Sequence, residues 1–316
     1  ADVPPGPGVE SPLAPAEAIA TLERSLRSFT TLLHAQAPDA AWLEELRAVM
    51  TAYRDMCDRG PDQTLYFLLY HCAHETAQYS VPHAMLCGAI VHLATKWMGW
   101  STEESDALVA AALTMNVAMT DLQDALASQI TSLDSTHREV IDQHAVRGRQ
   151  MLEGAGVTDP LWLQVVQTHH VKPDTKELER MAPAERLTEL LRRVDVYTAK
   201  LSRRKRRAAC TPALAARDTF LSHGGAPDTL GATLMRVLGL YPPGSWVELR
   251  NGDIGLVIAR GEKAHAPIVA AIRRSDAGLY LNPQRRDTAA PGCAIARGLS
   301  GLDTRVRVNH AKVLAA

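Results

Sequence analysis

Apolar residues recur at three- and four-residue spacing through "PAEAIATLERSLRSFTTLLHAQ", starting at Pro15, which predicts an amphipathic helix. A second helical stretch covers Asp39 to Asp58. Gly60-Pro61 interrupts the pattern, and "DQTLYFLLYHCAHETAQ" resumes it. "SVPHAMLCGAIVHLATKWMG" is apolar on all sides, the signature of a helix buried all round. Gly99 should close that helix, and Ser101, followed by Glu103 and Glu104, should cap the next. Further helices are expected at about Glu103–Met119, Asp134–Glu153, Leu161–His169, Pro183–Lys200 and Pro212–His223. Strands do not alternate with helices in this stretch, and there is no internal repeat.

The pattern changes at "LGLYPPGSWVELRNGDIGLVIARG". Trp246, Val247 and Leu249 precede Asn251-Gly252, and Ile254, Leu256, Val257 and Ile258 follow. Asn-Gly between apolar runs signals a hairpin, because both residues tolerate positive φ. "APIVAAIRR" and "GLYLNP" read as further short strands, followed by an irregular tail. The expected fold class is mainly α, a helical bundle with a small C-terminal β appendage. The expected boundaries are 1–14 for a flexible, proline-rich lead-in, 15–78 for an N-terminal helical region, 79–240 for the main helical domain and 241–316 for the β-rich region.

Composition agrees with packed helices. Of 316 residues 46% are apolar but only 5% aromatic. Lysine plus arginine number 34 against 35 acidic residues, a balance that does not advertise a nucleic-acid partner. Cys57, Cys72, Cys87, Cys210 and Cys293 form no closely spaced pair, which fits reduced thiols and a cytoplasmic setting. No run reaches the roughly 18 apolar residues of a membrane span, and the first residues lack a charged-then-apolar leader pattern. P-loop, dinucleotide-binding and nucleophile-elbow motifs are absent.

His83, His144, His169, His170 and Asp195 carry the candidate chemistry. Imidazoles and carboxylates are the ligands that Fe, Mn and Zn accept, and a bundle can present them inward from facing helices. Their long spacing declares no local motif, so each histidine also has an ordinary reading as a packed or surface residue. "HCAHE" sets His71, His74 and Glu75 at i, i+3 and i+4, either a ligand face or a polar helix face. His92 is expected beside the core, and His137, just after Ser135 and Thr136, near an exposed helix start. "RRKRR", Arg203 to Arg207, is either a phosphate-binding patch or a basic helix end set against the helix dipole.

From about Tyr79 to Asn251, several segments together resemble the HD-GYP family, a branch of the HD metal-dependent phosphohydrolases. "YSVPHAMLCGAIVHLATKWMGWSTEESDALVAAALTMNVAM" resembles the family's opening, with His83 at its first ligand histidine. "LDSTHREVIDQHAVRGRQML" places His144 on the next, "WLQVVQTHHVKPD" sets His169 and His170 on the adjacent histidine pair, and "LLRRVDVYTAKLSRRKRRAACTP" sets Asp195 on the last ligand aspartate. "LGLYPPGSWVELRNGDIGLVI" resembles the usual C-terminal hairpin. The resemblance implies an HD-type bundle, a bacterial signalling role, and hydrolysis of cyclic di-GMP at a metal centre. It also puts Arg204 near nucleotide phosphates and Asp174 at the family's loop aspartate.

The departures are as specific. Met115 and Asn116 stand where the family's His-Asp pair belongs, and Met119 where its lysine belongs. Val171 follows the histidine pair in place of glutamate, and "VKPDTKELERMAP" lacks Gly-Tyr-Pro. In the family the pair's aspartate bridges two ions, which clamp the phosphate and activate water. Asn116 offers a neutral carbonyl and Met115 a soft thioether poorly matched to hard ions. Asp121 or Asp124 would have to substitute for the missing carboxylate. The expectation is therefore a degenerate member with at most one Fe, Mn or other divalent ion, no two-metal centre and impaired catalysis. It would act by binding a partner protein or a cyclic dinucleotide, with a homodimer also open. Two alternatives stand beside it: a working phosphodiesterase with a reduced or rebuilt site, and a structural helical module whose histidines share no role.

Overall fold

One helix organises the rest. α4 (Ser80–Met98) buries fifteen residues between Ser80 and Thr95, as its all-round apolar pattern predicts. In the computed structural model, which describes residues 13–35, 37–129, 134–174, 177–205, 208–221, 225–274, 278–300, 306 and 308–316, α4 packs against neighbours on every side. These are α3 (Pro61–His74), α5 (Thr102–Thr114), α9 (Pro183–Leu201) and α11 (Thr229–Leu238). Around them lie α1 (Pro15–Leu33), α2 (Ala40–Arg59), α6 (Thr120–Ser128), α7 (Ser135–Gly154), α8 (Pro160–Thr168) and α10 (Pro212–Phe220). The chain is mainly helical with a small C-terminal antiparallel sheet. Among the described residues no helix is long and apolar enough to cross a membrane.

The caps follow sequence. Ser101 accepts from Glu104 N while Glu104 reaches back to Ser101 N, closing a capping box on α5. Gly99, at φ 68°, ends α4 in the left-handed conformation that suits glycine. Elsewhere the boundaries move. The expected helix to Met119 stops at Thr114, because Asn116, at φ −109° and ψ 12°, leaves helical backbone and the chain tightens into a 3-10 turn, Val117–Met119. α6 and α11 are helices in their own right, where the sequence showed only helical character, and α10 ends at Phe220, short of His223, which lies outside the described residues. The N-cap of α7 is Asp134, which accepts from His137 N; Ser135 is already helical. The lead-in through residue 12, and Arg206 and Arg207, likewise lie outside the described residues.

The sheet order is β4-β3-β2-β1-β5, with β1 Trp246–Leu249, β2 Ile254–Ala259, β3 Ile268–Arg274, β4 Gly278–Asp287 and β5 Ile295–Leu299. The Asn251-Gly252 hairpin forms as expected, with Trp246 opposite Leu256 and Gly252 at φ 82°. The tail is more ordered than its sequence suggests. β5 pairs with β1, and a short helix, α12 (His310–Leu314), packs on α1. Alternation decides how the sheet attaches. Trp246, Leu256 and Ile258 face the helices and join the main core, while Val247, Leu249, Val257 and Val269 form a second cluster on the other face.

A polar tie links α2 to α4. Asp58 Oδ1 accepts from His92 Nε2 at 2.7 Å and from Lys96 Nζ at 2.6 Å. Burial raises the Asp58 pKa, but the hydrogen bonds from His92 and Lys96 outweigh it and lower it from 3.8 to about 2. A depressed carboxylate stabilises the fold above its unfolded value and loses that contribution as pH falls through the folded one. Asp58→Asn is thus expected to cost on the order of 1 kcal/mol at neutral pH, a value discounted for a side chain 40% exposed. The difference from wild type in chemical denaturation should shrink between about pH 4 and pH 2. An equal difference at both ends of that range would remove this role from Asp58.

Candidate metal centre

Four helices bring the five candidate residues to two adjoining groups. His83 lies in the first turn of α4, His144 within α7, His169 and His170 at the end of α8, and Asp195 within α9. His144, His169 and His170 form one group of potential ligands, and His83, Cys87 and Asp195 the other. The groups interact electrostatically through Asp195, whose carboxylate acts on His144, His169 and His170. His144 and His169 are buried while His170 is exposed, so the first group opens to solvent on the His170 side.

Backbone carbonyls set the tautomers of the buried pair. His144 Nδ1 bonds to Ile141 O, and His169 Nδ1 to Val166 O at 2.6 Å. Val166 is in the last turn of α8, where carbonyls lack intrahelical partners. A carbonyl only accepts, so each Nδ1 carries the proton and each Nε2 presents a bare lone pair. Burial lowers the His144 pKa, and burial together with His170 pushes that of His169 down to about 3, keeping both rings neutral.

Those bare nitrogens converge. His144 Nε2 lies 3.1 Å from His169 Nε2 and 3.3 Å from His170 Nε2. With no proton between His144 and His169 the contact is unfavourable unless a cation sits among them. Two nitrogens bound to one ion at about 2.0–2.1 Å, between octahedral and tetrahedral angles, are about 2.8–3.4 Å apart. The observed separations fall in that window. Donation of the far ring N–H to a backbone carbonyl is also how metal-bound histidines are usually oriented.

The second group is built differently. His83 Nε2 lies 2.9 Å from Asp195 Oδ1, and His83 Nδ1 is buried without a hydrogen-bond partner among the described residues. Burial raises the Asp195 pKa, but the hydrogen bond and charge of His83, with help from His169 and His170, outweigh it and hold the carboxyl below its ordinary range. Cys87, one turn after His83, places Sγ 3.8 Å from His83 Nε2 and 3.1 Å from Thr198 Oγ1. Thr198 directs its own hydrogen to the carbonyls of Val194 and Asp195, so Cys87 is the donor to it. Burial raises the thiol pKa well above its usual value. The Cys87 thiol therefore stays protonated unless a cation replaces the proton.

The other candidates separate from these groups. Met115 is fully buried in the main core at the end of α5, beside the chain turn that packs on α7. A Cβ placed on Gly148, one turn beyond His144, would meet Val166 and Val117 side chains and come within 3.8 Å of Met115 O. The segment carrying Met115 and Asn116 thus lies against the turns that carry the histidines. Asp124 accepts from Ser80 N at 2.7 Å and from His34 Nε2 at 3.1 Å, and Asp121 lies 3.7 Å from His34 Nε2. Neither belongs to a ligand group among the described residues. Asp174 is exposed on the rim of a separate cavity shared with Thr168 and Thr188. Arg204 bonds Tyr79 Oη at 2.9 Å, with its guanidinium 4.9 Å from the ring centroid; Tyr79 in turn stacks on His83 with centroids 5.2 Å apart. His74 uses both ring nitrogens on Tyr70 O and Trp246 Nε1, so "HCAHE" is not a ligand face. His92 is buried on Asp58, and His137 is 35% exposed beside Asp134.

Two residues escaped the sequence reading. Cys87 was legible only as a position four residues after His83, and Tyr79 as one four before it; both spacings become a shared face once α4 is known to be helical. The chain matches no known family model, no curated protein and no solved structure.

Proposed function

We propose that this chain is an HD-GYP-like protein that holds one divalent ion of the Fe, Mn or Zn type on His144, His169 and His170, with Asp195 beside it. The observation carrying this reading is the meeting of the unprotonated His144 and His169 Nε2 atoms at 3.1 Å, with His170 Nε2 3.3 Å from His144 Nε2 and the His144 and His169 Nδ1 protons committed to carbonyls. The donor set fits such an ion: three imidazoles and a carboxylate. A bound ion there would supply Lewis-acid stabilisation of a phosphate oxygen or of a partner's carboxylate. His83 would hold Asp195 in place, and the exposed His170 would border the entrance.

In this reading catalysis on cyclic di-GMP is impaired. Met115 and Asn116 supply no bridging charge, and Asp121 and Asp124 are committed elsewhere. The protein would then act by binding a partner protein or a cyclic dinucleotide. The alternative, an active phosphodiesterase with a rebuilt centre, draws support from the His83, Cys87 and Asp195 group, which could take a second ion if Cys87 is deprotonated.

Elemental analysis of the purified chain, loaded anaerobically with Fe(II) or Mn(II), is the direct test. About one ion per chain, with no cleavage of cyclic di-GMP or bis-p-nitrophenyl phosphate, is the expected result. Two ions with turnover, both lost in Cys87→Ser, would establish the alternative. No ion under any loading condition would remove both readings.

A further inference from the structure

None of the candidate metal ligands lines a second cavity, an open cleft of about 550 Å³ bordered by the α2–α3 junction, the end of α4, the end of α11 and the β2–β3 loop. That volume is within the range of small-ligand pockets, about 300–1,000 Å³. Its lining is chemically uneven. Lys96, Arg236, Arg260 and Lys263 face it, against the carboxylates of Asp58 and Asp62. Both carboxylates are already engaged: Asp58 by Lys96 and His92, Asp62 by Arg260 at 2.5 Å. Arg236 and Lys263 have no carboxylate partner among the described residues; the hydrogen bond described for the Arg236 side chain is a 3.4 Å contact to Glu262 O. The cavity is positive inside a chain of net charge −1.

An aromatic surface lies beside these cations. Trp97 is 56% exposed, the only ring among the large exposed apolar side chains described. The Arg236 guanidinium sits 5.0 Å from its ring centroid. Stacking fixes the plane of a guanidinium and leaves its N–H edge free for an oxyanion. The enclosing loop is held close by glycine: a Cβ on Gly261 would collide with Ala266 O. Lys96 and Arg236 also complement the C-terminal dipoles of α4 and α11, but Lys263 comes from a loop and that role does not explain it.

We infer that this cavity binds a phosphate-bearing, flat heteroaromatic ligand of the nucleoside monophosphate class, with its phosphate on Arg236 and Lys263 and its ring on Trp97. The inference is independent of the metal reading. Calorimetry on the full chain with AMP, GMP and inorganic phosphate tests it. At least one nucleotide should bind with Kd on the order of 10–100 µM, and inorganic phosphate much more weakly. Arg236→Ala and Lys263→Ala should each weaken nucleotide binding about tenfold, as should Trp97→Ala. These residues are exposed, so unchanged thermal unfolding should accompany the loss. The inference is overturned by absence of nucleotide binding at millimolar concentration, by equal affinity in the Arg236 and Lys263 variants, or by phosphate binding as tightly as nucleotide.

Discussion

In His169→Ala, divalent metal should fall from about one ion per chain to below about a tenth under the same loading conditions. The size of the effect follows from the geometry. His169 Nε2 is one of three converging nitrogens, and its ring is buried with Nδ1 anchored on Val166 O. Removing a partner that merely orients a ligand typically costs about 10–100-fold in affinity, and removing the ligand itself exceeds that. His144→Ala should behave alike, since its ring is anchored in the same way. His170→Ala should be milder, because an exposed position can admit water as a replacement ligand. A buried imidazole replaced by methyl also leaves a void, so His169→Gln, which fills the space, controls for loss of packing. Metal retained at wild-type level in folded His169→Gln and His144→Ala would dispose of the three-histidine centre. Metal binding should also raise the unfolding temperature of wild type and leave that of His169→Ala where it was, because only a native-state site stabilises by mass action.

The second large effect is a gain. Met115→His combined with Asn116→Asp should raise metal content from about one to about two ions per chain. The segment lies against α7 and α8 at the turns next to His144 and His169, so the new imidazole and carboxylate would enter the same neighbourhood. The introduced carboxylate would add the charge that offsets repulsion between two cations. Without metal the variant should be less stable than wild type by about 1–3 kcal/mol, since Met115 is fully buried and a histidine there has polar atoms to satisfy. Metal should reverse that loss. The signature is therefore a larger metal-induced rise in unfolding temperature than in wild type. A variant that loses stability and gains neither metal nor that rise would place residues 115 and 116 outside the centre.

Much of the scaffold was legible because it rests on local rules. The all-round apolar run of α4 predicted its burial, Ser101 and Glu104 predicted a capping box, and Asn251-Gly252 predicted a hairpin. The misses are places where local signals are weak. Asn116 ends a helix that the apolar pattern would have continued, and β5 needed β1 as a partner before "IARGL" could be a strand. At the candidate centre the sequence offered residue types and the resemblance an order, but neither could show convergence. His83 and Asp195 are 112 positions apart, and only the packing of α4 on α9 puts them 2.9 Å from each other.

By itself, then, the amino-acid order determined that the chain is helical up to the sheet, where most of those helices lie, where the sheet begins and which histidines and carboxylates are chemically able to hold a cation. Those properties depend on neighbours within a turn or two, and short-range periodicity and capping report them. Tertiary structure alone decided that three imidazole nitrogens meet with the buried pair's protons turned away, that Asp121 and Asp124 are engaged by His34 and the start of α4, and that Cys87 joins His83. A lone pair's direction is set by the carbonyl bonded to the far side of its ring and by the helix packed opposite. Neither is encoded within reach of the residue along the chain.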